Sequence, residues 1–297
     1  MTESGSVAVS VEALRNGECS DPAPIRCLGV RVGPGAGARS VQPSTAHGDK
    51  GVTMMGYRIF LAGASGAIGR RLTPLLHSAG HYVCGSTRSK AKADALRSLG
   101  ADPVVVDVFD AMALSRAVAS ARPDVVIHQL TDLPKDLDPR EMGAAIIRTA
   151  RIRGEGTRNL VRAAIAAGAR RLVAQSIAWA YAPGAEPHAE TDPLDAGAEG
   201  DGGINVQGLI ALEDLTLKSP PLEGVVLRYG QLYGPGTASD RPSNHAPIHV
   251  DAAAYAALLA IDHGDPGIYN IAQSNRHVAT EKARVELGWT PDFRLPA

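Results

Sequence analysis

The sequence lacks the features that mark several specialised classes of protein. No stretch approaches 18 consecutive apolar residues, so no transmembrane helix is expected. The N-terminus has no charged region followed by an apolar core, so a secretory signal is not expected either. Three scattered cysteines, Cys19, Cys27 and Cys84, form neither a disulfide framework nor a metal-ligand spacing. These absences favour a protein of the reducing cytoplasm.

An excess of charge of one sign is also missing. The chain has 30 basic and 31 acidic residues, so its net charge of −1 indicates neither a nucleic-acid partner nor a membrane surface. Lysine is scarce, with six among the basic residues. The 297 residues are 44% apolar and 21% charged, which excludes a disordered chain and supplies material for a sizeable core.

Residues 1–54 differ from the rest of the chain. Glycine, proline, serine and alanine dominate there, and no apolar periodicity persists for a full helix. Two interpretations are open: a disordered extension, or a start codon assigned upstream of true initiation at Met54 or Met55. Five acidic residues before Met55 argue against an organellar transit peptide. We assign this segment no function.

From Tyr57 onward, short apolar runs alternate with helical patterns. Strands are expected at 58–62, 82–84, 104–106, 124–128, 171–176, 224–228 and 267–271. Helices are expected at 66–77, 91–99, 110–120, 141–167, 206–218, 251–261 and 280–287, with loops at 183–203 and 237–247. This alternation predicts an α/β fold with a doubly wound parallel sheet, the Rossmann fold.

A glycine-rich loop follows the first strand and opens the first helix. Its spacing, Gly-x-x-Gly-x-x-Gly, suits a tight turn, a close approach to a pyrophosphate, and close helix–strand packing. The helix N-terminus offers free N–H donors to phosphates. This context favours dinucleotide binding over simple small-residue packing. The loop reads Gly63-Ala64-Ser65-Gly66-Ala67-Ile68-Gly69.

The ends of the next strands bear on which dinucleotide binds. The second strand ends without the carboxylate that would bind the ribose 2′-hydroxyl of NAD, and Arg88 stands there instead. Arg88 is suited to the 2′-phosphate of NADP, although a solvent-exposed arginine is the alternative. NADP is therefore expected, with NAD as the second choice. Further cofactor contacts are expected from Asp107 (alternatively a loop or capping aspartate), Val108, His128 (alternatively a packed histidine), Gln129 and Leu130.

Beyond the glycine loop, several motifs resemble the extended short-chain dehydrogenase/reductase superfamily, in particular its NAD-dependent epimerase/dehydratase family. They are Gly154-Glu155-Gly156-Thr157-Arg158-Asn159-Leu160, Arg228 with Tyr233-Gly234-Pro235-Gly236, His249-Val250-Asp251, and Leu287-Gly288-Trp289. The resemblance implies a Rossmann domain over 55–297, with a small, shortened substrate lobe from 177–203, 229–250 and 272–297. It also implies hydride chemistry on a small molecule, often a sugar nucleotide. Helices at 141–167 and 206–218 resemble those that pair subunits in the family, so a homodimer is a further expectation.

The sequence departs from this family at the acid/base residues. The family's Tyr-x-x-x-Lys motif is absent, because Asn205 and Leu209 stand near those positions. Arg153 stands where the family commonly has an asparagine. Ser176 stands at the end of the fifth strand, where the resemblance implies a helper hydroxyl. Tyr181 is the nearest candidate to replace the missing tyrosine, although packing at the sheet rim is the favoured alternative for it. Tyr229 and Tyr233 are further candidates, whereas His249 is expected to be structural.

Two functions remain open from the sequence. The first is an NAD(P)-dependent oxidoreductase or epimerase/dehydratase-like enzyme acting on a carbonyl or alcohol carbon of a small substrate, without nucleic acid, membrane or metal. The second is a non-catalytic NADP(H)-binding regulator or redox sensor, suggested by the missing Tyr-x-x-x-Lys pair and the short C-terminal lobe. Substrate turnover distinguishes the two.

Overall fold

Seven parallel strands form the centre of the structure. The computed structural model describes residues 56–134 and 136–296, so the expectation for residues 1–54 lies outside the described residues. The strands are β1 (Arg58–Ala62), β2 (Tyr82–Thr87), β3 (Ala101–Val105), β4 (Val125–His128), β5 (Arg171–Ile177), β6 (Glu223–Tyr229) and β9 (Gly267–Ile271). Their order is β3-β2-β1-β4-β5-β6-β9. A separate parallel pair joins β7 (Gln231–Tyr233) to β8 (Pro247–His249).

Helices cover both faces of this sheet. They are α1 (Ala67–Ser78), α2 (Ala93–Ser98), α3 (Ala111–Ala121), α4 (Pro139–Arg151), α5 (Thr157–Ala166), α6 (Gly200–Leu217), α7 (Val250–Leu259) and α8 (Glu281–Glu286). A π-helical turn, Ile152–Gly156, joins α4 to α5. Within the described ranges, no helix combines the length and apolar character needed to cross a membrane.

The apolar core lies in two layers, one on each side of the sheet. On one side, α1 packs against α7, and Leu72 and Ala256 are fully buried there. On the other side, α3 packs against α5 around Val118 and Leu160. Strands buried on both faces explain the short, continuously apolar runs in the sequence. The predicted doubly wound α/β fold is confirmed.

The boundaries differ from the prediction where glycine and proline obscured the pattern. Strand β3 begins three residues before the predicted run and contains Pro103. Helix α6 begins at Gly200, inside the predicted loop, despite its N-terminal glycines. A Cβ atom at Gly203 would lie 2.3 Å from the carbonyl oxygen of Ala198. That glycine therefore permits a close backbone approach and does not end the helix.

The three segments expected to form a substrate lobe contact one another. Ala178, Ala246, Ala272 and Val278 form one buried cluster, which joins the segment after β5 to the two later segments. A β-bridge also links His188 to Val278. The structure thus brings these segments together at one end of the sheet, and their role in binding a substrate stays a prediction.

Candidate active site

A cleft of about 1540 Å³ opens at the carboxyl ends of the central strands. Ala62 at the end of β1 is in register with Ser86 of β2 and with His128 of β4. These strand ends therefore lie at one edge of the sheet, where open α/β sheets bind their ligands. The cleft continues past the end of β5 and the N-terminal turns of α6.

The glycine loop forms one wall of this cleft through Gly63, Ser65, Gly66 and Ala67. Gly63 has a φ of +91°, and a Cβ atom there would lie 2.6 Å from the carbonyl oxygen of Gln129. Gly66 caps α1 without a side-chain hydrogen bond, so the helix presents unpaired N–H groups. This cradle fits the pyrophosphate of a dinucleotide.

The other loop residues support this wall from behind. A Cβ atom at Gly69 would lie 2.3 Å from the carbonyl oxygen of Gly63, so only glycine lets α1 pack this closely. Ala64 and Ile68 are buried in the apolar core. All three belong to the predicted motif, but none is among the residues that line the cleft.

The segment directly after β4 contributes Gln129 and Leu130 to the cleft, whereas His128, the last residue of β4, is not among the lining residues. The buried carbonyl oxygen Oε1 of Gln129 has no hydrogen-bond partner in the described chain, which leaves an acceptor for a ligand. The His128 ring is fully buried, 3.0 Å from the Thr157 hydroxyl, and it accepts from the backbone N–H of Leu130. Burial, aided by the nearby charge of Arg153, lowers the pKa of His128 to about 4. The expected cofactor contact by His128 is therefore corrected to a packed, neutral histidine.

Arg88 extends into the cleft from the end of β2, with half of its side chain exposed. Its guanidinium lies 3.2 Å from a carboxylate oxygen of Asp132, which also pairs with Arg148 at 3.3 Å. Lys92 lines the same end. Two cations at this place are suited to an additional phosphate.

The expected adenine contact of Asp107 is not supported by its position. Asp107 is exposed and is not among the cleft-lining residues. Its carboxylate accepts a hydrogen bond from the backbone N–H of Phe109 at 3.0 Å. This is the loop aspartate that the sequence left as the alternative. Val108 and Phe109 line the cleft instead.

Ser176 points away from the cleft. It is fully buried, and its hydroxyl donates to Glu213 at 2.7 Å. Its strand neighbours Gln175 and Ile177 are among the cleft-lining residues, whereas Ser176 is not. The hydroxyl of Ser176 is thus engaged by a buried carboxylate, and its role as a helper hydroxyl stays a prediction.

The tyrosines also lie outside the cleft lining. Tyr181 donates to the side-chain oxygen of Asn270 at 2.6 Å and stacks on His188 at 4.9 Å between ring centres. Burial raises the pKa of its hydroxyl further from neutrality. Tyr229 is buried, and Tyr233 accepts from Gln273 at 3.0 Å. These contacts fit packing at the sheet rim, the alternative that the sequence left open, and the acid/base role of Tyr181 stays a prediction.

The described part of the cleft is lined by five cations, two carboxylates and no tyrosine or histidine. This composition favours anionic ligands. It also leaves no tyrosine or histidine in the described lining to donate a proton to a substrate oxygen. The charged lining residues are Arg70, Arg88, Lys92, Asp132, Arg153, Asp201 and Arg241.

Arg153 is the buried cation of this set. It lies in the π-helical turn, is 5% exposed, and donates to the side-chain oxygen of Asn205 at 2.5 Å. Asn205 and Arg153 thus occupy the site of the missing tyrosine and the usual asparagine. Buried Leu209, near the lysine position, packs in an apolar cluster with Ile177. Sequence reasoning noted both substitutions but did not pair them, because the pairing depends on how α6 packs against the π-helical turn.

Trp179 is a second residue that sequence reasoning missed. It lines the cleft and is 40% exposed. The signal was the alternation in β5, which continues through Gln175 and Ile177 to this position. An exposed indole in a cleft provides a flat surface for a planar ligand.

The fold, the phosphate cradle and the cleft define a nicotinamide-dependent Rossmann enzyme. Residues 59–253 match the NAD-dependent epimerase/dehydratase family, and the chain belongs to that family. It therefore takes a nicotinamide dinucleotide and is an NAD(P)-dependent oxidoreductase or epimerase/dehydratase-like enzyme. The alternative of a non-catalytic regulator is not supported by this kinship.

Individual relatives agree with this placement. The chain is 41% identical over 268 residues to a 3-diazoavenalumate denitrifying reductase from Streptomyces sp, covering 81% of this chain and 84% of that protein. It is 30% identical over 181 residues to dTDP-4-dehydrorhamnose reductase from Streptomyces griseus, covering 60% and 51%. Among solved structures, the Bordetella bronchiseptica enzyme WbmG in complex with NAD and UDP has the same fold, with a TM-score of 0.65 at 18% identity, covering 80% and 90%.

Proposed function

We propose that this protein is an NADPH-dependent reductase of a small diazo compound. The preference for NADPH is supported by Arg88 and Lys92 at the end of β2, where a ribose-binding carboxylate is absent from residues 85–93 of the described chain. The phosphate cradle at Gly63 and Gly66 holds the pyrophosphate, and the unpartnered oxygen of Gln129 offers an acceptor beside it.

Calorimetric titration of NADPH and NADH tests the cofactor preference. Arg88→Ala should reduce the affinity for NADPH about 10- to 100-fold, which is the range for losing charged hydrogen bonds. The affinity for NADH should be unchanged. Arg97→Ala, an exposed arginine on α2, is the matched control and should change neither affinity. Equal affinity of the wild type for both cofactors would contradict the preference.

The single observation that carries the reductase proposal is the absence of tyrosine and histidine from the described cleft lining. Reduction of a carbonyl creates an alkoxide, whose oxygen needs a proton donor. The relative at 41% identity acts, by its name, on a diazo compound and removes nitrogen. Reduction of such a substrate does not require the enzyme to protonate an alkoxide oxygen.

Replacing a diazonium group by hydrogen takes one hydride and no proton at the reacting carbon. The electron pair of the hydride forms the new C–H bond, and the C–N bond breaks with its electrons leaving on N2. A neutral diazo substrate in which the diazo carbon is conjugated to a ring oxygen first takes one proton from water on that oxygen, which leaves hydroxide and gives the diazonium. When bound, the reduced nicotinamide supplies the hydride. The chain itself must hold and orient the substrate, and Ile177 and Trp179 provide apolar walls that exclude water.

Parallel assays of NADPH oxidation and nitrogen release test this reaction. With benzenediazonium-4-carboxylate, we expect one N2 and one NADP⁺ for each substrate consumed, above the rate without enzyme. A set of ketone substrates, including a nucleotide-linked 4-ketosugar, should be reduced at least 100-fold more slowly. Efficient ketone reduction without nitrogen release would overturn the diazo assignment and return the enzyme to carbonyl chemistry.

We also propose that the enzyme forms a homodimer through α4 and α6. These helices pack together and carry the exposed apolar side chains Ile147 and Ile204. Light scattering on the intact protein should give twice the mass of one chain. Ile147→Asp with Ile204→Asp should give the monomer mass, whereas Val285→Asp, at an exposed residue on α8, should not.

A further inference from the structure

A buried cation without an anionic partner lies in the cleft. Arg153 is 5% exposed, and no carboxylate of the described chain lies within 4.0 Å of its guanidinium nitrogens. Its single hydrogen bond goes to Asn205, which is neutral. Burying a charge in this way costs several kcal/mol unless an anion compensates it.

Another buried arginine shows how the same fold satisfies such a group. Arg228 is 3% exposed and donates to both carboxylate oxygens of Glu213, at 2.9 and 2.7 Å. Arg153 has no such pair, although Glu213 is near enough to act on its charge. Burial lowers the pKa of Arg153 to about 10, so the guanidinium remains charged at neutral pH. The missing anion is thus expected from outside the chain.

Arg153 and Asn205 both line the cleft and have donors that the described contacts do not use. A guanidinium has five N–H donors, and the described contacts use one of them. The bonded oxygen of Asn205 fixes that amide, whose NH2 group has no hydrogen-bond partner in the described ranges. Guanidinium and amide N–H groups match an oxyanion and repel a cation.

The walls beside these donors select the shape of the ligand. Ile177 and Trp179 line the cleft from β5 and the segment after it, and Met142 and Ile146 line it from α4. An aromatic face and aliphatic side chains suit a flat, apolar body. The two carboxylates of the cleft, Asp132 and Asp201, lie outside ion-pair distance of Arg153.

We propose that Arg153, oriented by Asn205, binds an oxyanion carried by a planar aromatic substrate. The oxyanion is a carboxylate or an ionised phenol. This proposal rests on the reductase function for its substrate, but it concerns binding and not turnover. It makes Arg153 an anchor that places the reacting carbon.

Equilibrium binding to the NADP⁺-loaded protein tests the site without requiring turnover. The probes are cinnamate, its neutral analogue cinnamamide, and 4-nitrophenolate. Wild type should bind at least one oxyanion at least tenfold more tightly than cinnamamide. Tighter binding of cinnamate would identify the oxyanion as a carboxylate, and tighter binding of 4-nitrophenolate would identify it as an ionised phenol. Either result supports the site.

Arg153→Met should reduce the affinity for that anion about 10- to 100-fold, with cinnamamide and NADP⁺ affinities within twofold of wild type. Methionine removes a buried charge without a large change in volume, so the fold should be retained. Arg153→Lys keeps the charge but loses the planar guanidinium, so its affinity for the anion should lie between those of wild type and Arg153→Met. Arg162→Met, an exposed arginine on α5, should bind as wild type.

Two outcomes would overturn the site. One is anion affinity that Arg153→Met leaves unchanged, and the other is an equal loss of NADP⁺ affinity, which would assign Arg153 to the cofactor. Failure of the reductase function is distinguishable, because it appears as Arg153-dependent anion binding without nitrogen release. Conversely, diazo reduction with anion affinity independent of Arg153 would remove this site and leave the function intact.

Discussion

Behind strand β5, three buried polar residues satisfy one another. Arg228 and Glu213 form a two-point ion pair, and Ser176 donates to the same carboxylate at 2.7 Å. A buried network of this kind is stabilising only when each member is bonded. At the residue scale, the serine that the family resemblance placed in catalysis thus has a structural role in the fold.

Ser176→Ala should therefore lower the free energy of unfolding by about 1.5–3 kcal/mol, the range for a hydrogen bond to a charged group. NADPH oxidation should stay within twofold of wild type, because the hydroxyl does not face the cleft. Urea unfolding and the steady-state assay measure the two effects. Ser98→Ala, at an exposed serine, is the control. Lost turnover with unchanged stability would restore Ser176 to the active site.

His128 should make the protein less stable in acid. Its pKa is 6.5 in the unfolded chain and about 4 in the folded one, so only the unfolded chain takes up the proton between these values. Stability is therefore complete above pH 6.5 and falls as the pH drops, by about 1.4 kcal/mol per unit and about 3 kcal/mol in total.

Urea unfolding between pH 7.5 and 4.5 checks this effect with His128→Asn. The variant should be less stable than wild type near neutrality, and the difference should shrink as the pH falls. His263→Asn, at a half-exposed histidine, should keep the wild-type slope. If the free energy of unfolding of wild type and of His128→Asn changed with pH in parallel, the lowered pKa of His128 would be contradicted.

At the scale of elements, the close packing of α1 against β1 builds the phosphate cradle. Gly69→Ala would place a methyl group 2.3 Å from the Gly63 carbonyl oxygen, so α1 must move away from the loop. We expect NADPH affinity to fall at least tenfold, with a loss of about 1–3 kcal/mol in stability. Gly154→Ala, where a Cβ atom meets nothing within 4 Å, should preserve both quantities.

The π-helical turn is the second element that shapes the site. Single π turns occur inside helices mostly at functional positions, because the extra residue reorients the local side chains. Here the turn Ile152–Gly156 buries Arg153 beside the cleft while α4 and α5 continue on either side. A continuous helix, as predicted from 141 to 167, would not identify this position as special.

At the scale of the whole molecule, the C-terminal segment ties two helices together. The indole N–H of Trp289 donates to the carbonyl of Ala252 at 2.9 Å. The backbone N–H of Leu295 donates to Asp251, whose other oxygen accepts from Arg71 at 2.5 Å. These hydrogen bonds stabilise the packing of α7 against α1 on one face of the sheet.

The two tryptophans of the chain should therefore behave oppositely on substitution. Trp289→Ala removes a buried ring and should lower the free energy of unfolding by about 3–5 kcal/mol, with NADPH affinity preserved in the folded protein. Trp179→Ala should lower the free energy of unfolding by less than about 1 kcal/mol, because the side chain is 40% exposed. The same variant should bind the aromatic probes more weakly than wild type. Thermal unfolding and ligand titration measure the contrast, and equal destabilisation by both variants would contradict it.

The sequence by itself determined the fold and the position of the glycine loop after β1. Apolar runs such as Arg58–Ala62 are buried on both faces, and a periodic helix such as Ala67–Ser78 has one apolar side, so local pattern suffices to predict both. The glycine spacing at Gly63, Gly66 and Gly69 is likewise a local requirement of backbone geometry. Each of these features depends on neighbours along the chain.

Only the tertiary structure decided which side chains face the substrate. A shift of one residue along β5 separates a cleft-lining side chain, Ile177, from one bonded to a buried carboxylate, Ser176, and the sequence alone did not distinguish the two. Arg153 and Asn205 lie 52 positions apart, and their contact exists because α6 packs against the π-helical turn. Contacts of this kind depend on packing between distant elements, and no local pattern encodes them.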